Sequence, residues 1–164
     1  MKLLKKLVIY YSLDGNTKLV AETIAGAIGA GLLQLKPKSE IKAHGFFKYF
    51  LGGMQVVLKK KPELLPFEKN PADYDLIFIG SPVWASSYTP AVNSFFSNCK
   101  LSGKKIAVFC TLSGQSDKPL INMKKALAGN DIVGENEFIE VVKNINAVKK
   151  NASKWANEVV NKCR

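Results

Sequence analysis

Metal-binding side chains are scarce in this sequence. His44 is the only histidine, and the three cysteines, Cys99, Cys110 and Cys163, are far apart with no Cys-x-x-Cys pair among them. Zinc and iron–sulfur centres need clusters of such ligands. The sequence therefore argues against these metal sites and predicts three free thiols without a ligand role.

Arginine is nearly absent. Lysine supplies 23 of the 24 basic residues, the exception being Arg164, and the net charge is +11. Base recognition and bidentate phosphate contacts favour arginine, so this composition argues against a specific nucleic-acid partner. A solvated lysine surface is the simplest interpretation, and a docking surface for an acidic partner protein is the alternative.

Long apolar runs are also missing. The N-terminal run from Leu7 to Tyr11 has only five residues, which is short for the core of a secretion signal. No stretch approaches the ~20 residues of a transmembrane helix. We therefore expect a cytoplasmic protein with no transmembrane segment. Because 164 residues suit one domain and show no linker or repeat, a single domain over 1–164 is predicted.

What the sequence does contain is a repeated alternation of strand and helix patterns. Continuous apolar runs predict strands buried on both faces, and apolar residues at helical spacing predict helices. Strands are expected at 7–11, 32–35, 74–80 and 105–110, and a last strand, interrupted near Gly134, at 132–142. Helices are expected at 16–30, 90–98, 117–128 and 147–162. This alternation predicts an α/β fold with a doubly wound parallel sheet.

The segment 44–61 is less regular. Aromatic residues fill its first half, Gly52-Gly53 forms a weak point, and Lys59-Lys60-Lys61 closes it. We expect a second crossover helix packed on the sheet. A cap over a substrate site, a grip on a partner protein and a contact with a membrane surface are the alternatives.

Three loops follow the first, third and fourth strands, where ligands bind in sheets of this kind. The first loop combines a glycine, hydroxyl groups and a helix N-terminus in Ser12-Leu13-Asp14-Gly15-Asn16-Thr17, the composition of a phosphate cradle. It has neither the lysine of a nucleoside-triphosphate loop nor a Gly-x-Gly-x-x-Gly pattern. A plain turn capped by Asp14 or Asn16 is the alternative.

The other two loops offer a flat aromatic ring and small polar groups. After the third strand comes Gly80-Ser81-Pro82-Val83-Trp84-Ala85-Ser86, whose indole can stack on a planar heterocycle. After the fourth comes Thr111-Leu112-Ser113-Gly114-Gln115-Ser116. The alternatives are a tryptophan packed on a neighbouring helix and an ordinary connecting loop.

Two of these loops carry a family resemblance. The run 8–17 resembles the flavodoxin signature, in which an aliphatic strand enters a Ser/Thr-x-Thr-Gly-x-Thr loop around the FMN phosphate. Asp14 stands where threonine is usual, and a carboxylate there weakens phosphate binding unless its side chain turns outward. The run 80–84 is similar to the Gly-Ser/Thr-Pro-Val-Trp loop that lies against the flavin ring in flavodoxin-like reductases and short flavodoxins.

The resemblance implies a five-stranded sheet of order 2-1-3-4-5 and non-covalently bound FMN. The residues that it assigns to the cofactor lie in the three loops: Ser12, Leu13, Asp14, Gly15, Asn16, Thr17, Pro82, Val83, Trp84, Ala85, Ser86, Thr111, Leu112, Ser113, Gly114 and Gln115. No catalytic acid or base stands out, and FMN itself carries redox chemistry.

Two function classes follow from that assignment. The protein is expected to be an FMN-dependent oxidoreductase that takes hydride from NAD(P)H and reduces a quinone or similar small acceptor. Alternatively, it is a flavodoxin-type electron carrier that docks on redox partner proteins. The strongly basic composition disfavours the carrier, because long-studied flavodoxins are acidic. A module that has lost FMN is a third alternative, and only Asp14 supports it.

Overall fold

A parallel sheet organises the chain in the computed structural model, which describes residues 3–42 and 44–164. The strands are β1 (Lys6–Tyr10), β2 (Gly31–Gln34), β3 (Leu76–Pro82), β4 (Lys105–Leu112) and β5 (Asp131–Ile139). The helices are α1 (Asn16–Ile28), α2 (Phe46–Val57), α3 (Pro90–Asn98), α4 (Lys118–Ala126) and α5 (Ile145–Lys162). Short 3-10 turns occupy Pro71–Asp73 and Val141–Asn144. The strand order is β2-β1-β3-β4-β5, which confirms the predicted doubly wound α/β fold.

Apolar side chains cover both faces of the sheet. On one face α1 and α5 pack around a core that includes Phe78, Phe109 and Trp155. On the other face α3 and α4 pack around a core that includes Phe95 and Met123. Because the central strands are covered on both faces, they need continuous apolar runs, and this is why their positions could be predicted.

One position in β3 has no room for a side chain. A Cβ atom at Gly80 would lie 2.1 Å from Cζ of Phe109, the residue paired with it on β4. The Phe109 ring also makes edge contacts with Phe138 and Trp155, at centroid distances of 6.1 and 6.2 Å. Glycine at position 80 is therefore required by the packing of an aromatic cluster.

The last strand is continuous, so the predicted interruption near Gly134 is wrong. Pairing of Ile106 with Ile132 is followed by pairing of Ala107 with Gly134, which leaves Val133 as the extra residue of a β-bulge. Glycine allows α5 to approach, since a Cβ atom at Gly134 would lie 2.7 Å from Cγ2 of Val159. The residues 141 and 142, also predicted in this strand, belong to the 3-10 turn that follows it.

The helix α2 does not pack on the sheet as a crossover helix, and that prediction is wrong as well. It runs through Gly52-Gly53 without a break, and its only buried residue is Gly52. None of its side chains joins either core. Instead α2 lies beside the first and second loops, because Lys48 and Tyr49 on its polar side bind Asp14.

Candidate functional site at the carboxyl edge of the sheet

The three predicted loops meet around one cleft at the carboxyl ends of the strands. Its volume is about 290 Å³, close to the lower end of the range for small-molecule sites. Most of the predicted residues line it: Ser12, Leu13, Asp14, Asn16, Thr17, Pro82, Val83, Trp84, Thr111, Leu112 and Ser113. Five predicted residues are outside this lining: Gly15, Ala85, Ser86, Gly114 and Gln115.

The first loop presents the N-terminus of α1 to the cleft. Gly15 is the N-cap, with a left-handed φ of 91°, and its own N–H donates to Oγ of Ser12 at 3.1 Å. No side chain caps the helix, so the alternative of a turn capped by Asp14 or Asn16 is wrong. The N–H groups of the first helical turn have no partner within the helix and carry the positive end of its dipole. The loop is thus equipped to hold an anion with neutral donors.

Asp14 is turned toward α2. Its carboxylate accepts hydrogen bonds from Nζ of Lys48 at 2.6 Å and from Oη of Tyr49 at 2.8 Å. Partial burial opposes ionisation, but these two hydrogen bonds outweigh it and hold the pKa of Asp14 below its usual value. The same contact raises the pKa of Lys48. A neighbouring ammonium compensates the carboxylate, so the departure from the threonine of the flavodoxin signature does not leave an unpaired negative charge in the loop.

This pairing makes the attachment of α2 sensitive to acid. Because the pKa of Asp14 is lowered in the folded state, its stabilising effect is complete above the ordinary carboxyl pKa of about 4 and is lost as the pH falls through the lowered value. We expect Asp14→Asn to cost up to about 1 kcal/mol at neutral pH, the upper range for an exposed ion pair. The difference should shrink as the pH falls below about 4 and vanish once the pH lies below the lowered pKa of Asp14. Urea unfolding of both proteins across this range checks it, and a difference that persists unchanged in acid would contradict it.

A buried pair of hydroxyl groups joins the first and third loops. Oγ1 of Thr17 lies 2.7 Å from Oγ1 of Thr111, and both residues are buried. Thr17 is the second residue of α1, whereas Thr111 lies near the end of β4. The hydrogen bond therefore fixes the start of the helix against the far side of the cleft.

Trp84 stands at a tight turn in the second loop. The backbones of Trp84 and Ser87 exchange hydrogen bonds of 3.0 and 2.9 Å across Ala85 and Ser86. Both intervening residues are left-handed, with φ of 46° and 59°, as a two-residue turn of this type requires. The ring of Tyr11 meets the indole edge-on at 5.8 Å. Ala85 and Ser86 therefore shape the turn that presents Trp84.

Trp84 also packs against α2, as the alternative interpretation of this residue proposed. A Cβ atom at Gly52 would lie 2.9 Å from Cε3 of Trp84, so the helix backbone passes directly against the indole. The indole therefore both lines the cleft and packs against the backbone of α2.

The adjacent glycines of α2 offer a matched test. Gly53→Ala meets only Cβ of Ala85 at an ordinary 3.8 Å and should raise stability by roughly 0.5–1 kcal/mol through helix propensity. Gly52→Ala gains the same propensity but overlaps the indole, so a net loss of about 1 kcal/mol or more is expected. Thermal unfolding and near-ultraviolet circular dichroism check this pair. Equal stability of the two variants would show that Trp84 moves freely.

Sequence reasoning missed one side of the cleft. Tyr49 of α2 and Glu140 to Lys143 also line it. Glu140 to Lys143 were missed because the last strand was predicted to continue through Val142. Had the strand been predicted to end near Ile139, the loop after it would have been expected at the carboxyl edge of the sheet, beside the other three loops. Nothing in the sequence pattern points to Tyr49, because its position depends on how α2 is attached.

Within the described part of the chain, the other titratable groups do not cluster as metal ligands. No cluster of three or more histidine, cysteine, aspartate or glutamate side chains occurs in residues 3–42 and 44–164. Burial and the nearby carboxylate of Glu137 raise the pKa of Cys110 to about 12, so its thiol is inert. Over the same part of the chain, no helix combines the length and apolar content needed to cross a membrane.

The strand order and the position of the cleft define a flavodoxin-like α/β protein. The family profile for flavodoxins matches residues 5–159. The chain belongs to the flavodoxin family. A search of curated proteins gave no match.

Several solved structures share the fold. A flavoprotein from Lactobacillus acidophilus, solved in complex with FMN, is 26% identical with a TM-score of 0.73, and the match covers 86% of this chain and 97% of that one. A structure from Bacteroides eggerthii is 22% identical with a TM-score of 0.78, covering 95% and 98%. Flavodoxin 2 from Bacillus cereus is 19% identical with a TM-score of 0.62, covering 96% and 99%. The last two show the fold alone.

Proposed function

We propose that the chain binds FMN non-covalently at the carboxyl edge of the sheet and acts as a redox protein. The observation that carries this proposal is the meeting of an uncapped helix N-terminus, a tryptophan turn and a polar loop around one cleft. Membership of the flavodoxin family and the FMN complex of the Lactobacillus acidophilus flavoprotein support it.

The residues present fit the parts of FMN. The N–H groups at the start of α1 and the hydroxyl groups of Ser12 and Thr17 would hold the phosphate. The ring would lie beside Trp84 and Pro82, and the third loop, from Thr111 to Gln115, would face its polar edge. When bound, FMN supplies electron or hydride transfer that no side chain of this cleft can perform.

A spectrum and two titrations test the cofactor assignment. The purified protein should be yellow, and apoprotein should bind FMN at micromolar concentration or tighter. Riboflavin lacks the phosphate, so it should bind at least about tenfold more weakly if α1 holds that group. Equal affinity for the two flavins would contradict the phosphate assignment. A colourless protein that refuses added FMN would contradict the whole proposal.

For the reaction, we favour an NAD(P)H-dependent oxidoreductase with a quinone or similar small acceptor. A second cavity of about 580 Å³ lies behind the tryptophan turn, and it includes Lys59, Lys60 and Lys125 but no carboxylate. Such a basic cavity suits the phosphates of a pyridine nucleotide. The runner-up is an electron carrier that receives and delivers electrons only through partner proteins, and the exposed face of α2 is compatible with docking.

Anaerobic titration with NADPH separates these two functions. The oxidoreductase should bleach its flavin without any other protein and should then reduce a soluble quinone. In that case Lys125→Gln should raise KM for NADPH several-fold with little change in kcat, because it removes only a binding charge. If bleaching requires a separate reductase, the carrier is correct, and FMN binding is unaffected by that outcome.

We also propose a cytoplasmic location. The cysteines of the described chain are all free, as expected in a reducing compartment.

A further inference from the structure

The helix α2 exposes its apolar side to solvent. Its exposed aliphatic and phenylalanine side chains follow helical spacing and lie on one face: Phe46, Phe47, Phe50, Met54 and Val57, continued by Leu58 just after the helix. Phe46 is 83% and Val57 73% exposed. Amphipathic helices of globular proteins normally turn such a stripe toward the core. Here the orientation is reversed.

The opposite side of α2 explains the reversal. Gly52 packs against Trp84, and Lys48 and Tyr49 bind Asp14 at 2.6 and 2.8 Å. At the C-terminal end, the side-chain amide of Asn93 donates to the carbonyl of Lys60 at 3.2 Å. The helix is thus attached at two places and the segment just after it at a third, and the apolar stripe cannot turn inward without breaking these contacts.

The surroundings of the stripe are strongly basic. From residue 41 to 62 the chain has no aspartate or glutamate but has five lysines. Lys48 is paired with Asp14, whereas Lys42 and Lys59 to Lys61 are exposed. The whole protein carries a net charge of +11. Two copies would therefore repel each other, which disfavours a dimer through this face.

We propose that α2 binds the surface of an anionic lipid bilayer. Phenylalanines on one face and lysines beside them are the composition of helices that lie in the headgroup region, where apolar side chains enter the acyl boundary and lysines meet anionic lipids. Tyr49 of the same helix lines the cleft. Adsorption through α2 would thus bring the cleft close to lipid-soluble molecules. The proposal stands on exposure and charge and does not depend on FMN binding.

Co-sedimentation with lipid vesicles tests this binding. The full-length protein should bind vesicles in which about a third of the phosphatidylcholine is replaced by phosphatidylglycerol, and it should bind pure phosphatidylcholine far more weakly. Added salt should weaken binding to the anionic vesicles. Phe46→Ser, Phe47→Ser and Phe50→Ser combined should abolish it, although they remove only exposed side chains. Ile121→Ser combined with Ile145→Ser, two exposed apolar residues outside α2, is the matched control and should bind normally.

A second pair of variants separates local from overall charge. Replacement of Lys59, Lys60 and Lys61 with glutamine should reduce affinity by at least about 20-fold, since one lysine near the surface contributes about fivefold. Replacement of Lys149, Lys150 and Lys162 with glutamine removes the same charge from α5 and should cost much less. The proposal would be overturned if the two triple variants lost the same affinity for anionic vesicles. It would also be overturned if the unmodified protein bound neutral and anionic vesicles equally well.

Sedimentation of the lipid-free protein tests whether a second copy of the chain covers the stripe instead of a bilayer. A monomer is expected. A dimer that dissociates when the three phenylalanines are replaced would show that a second copy of the chain covers the stripe. That result would overturn the proposal that α2 binds a bilayer.

Discussion

Gly80→Ala is expected to destabilise the folded protein by about 3 kcal/mol or more, the upper end of the range for overpacked cores. The new methyl group would lie 2.1 to 2.7 Å from three carbon atoms of the Phe109 ring. That ring is held by Phe138 and Trp155, so relief requires movement of the β3 or β4 backbone. The midpoint of urea unfolding measures the effect.

Gly26→Ala is the matched control for this substitution. Gly26 lies within α1, and a Cβ atom there meets nothing within 4 Å. The substitution should stabilise the protein by roughly 0.5–1 kcal/mol. If Gly80→Ala unfolded at the same urea concentration as the parent, the aromatic cluster would have more freedom than its packing indicates.

Trp84→Ala should lower FMN affinity by about 100-fold, because it removes both the stacking contribution and the apolar area of an indole. It would also leave a gap beside Gly52. Trp84→Phe keeps a ring and should lose at most about tenfold. Titration of apoprotein with FMN, followed by quenching of flavin fluorescence, gives the affinities. Unfolding of the apoproteins shows whether the loss is specific to binding. Unchanged affinity in Trp84→Ala would remove the indole from the site.

The central strands could be predicted because burial on both faces demands continuous apolar runs. Their order was implied by the resemblance to flavodoxins. The edge strand β5 could not be bounded in the same way. Its residues from Gly134 to Glu137 are polar or lack a side chain, since an edge strand is only partly covered. The break predicted near Gly134 is a β-bulge within a continuous strand.

The first loop shows where sequence reasoning about the site ended. Its composition predicted an anion cradle, and the chain indeed places an uncapped helix terminus there. The direction of Asp14 was left open, because it depends on Lys48, 34 residues away in the chain. Tyr49, 35 residues from Asp14, was missed for the same reason. The spacing of apolar residues predicts which side of a helix is apolar. Whether that side faces the core or the solvent depends on tertiary contacts, and in α2 these turn it outward.

The hydroxyl pair of Thr17 and Thr111 limits how the two loops can serve an anion. Two hydroxyl groups carry two hydrogens, and one of them lies between the oxygens. A single hydrogen is left to donate outward. If Thr17 gives it to a phosphate, Thr111 must be the donor within the pair, and any polar group that then meets Thr111 finds only an acceptor. The direction of this one hydrogen bond therefore decides which of the two hydroxyl groups can donate to a bound molecule.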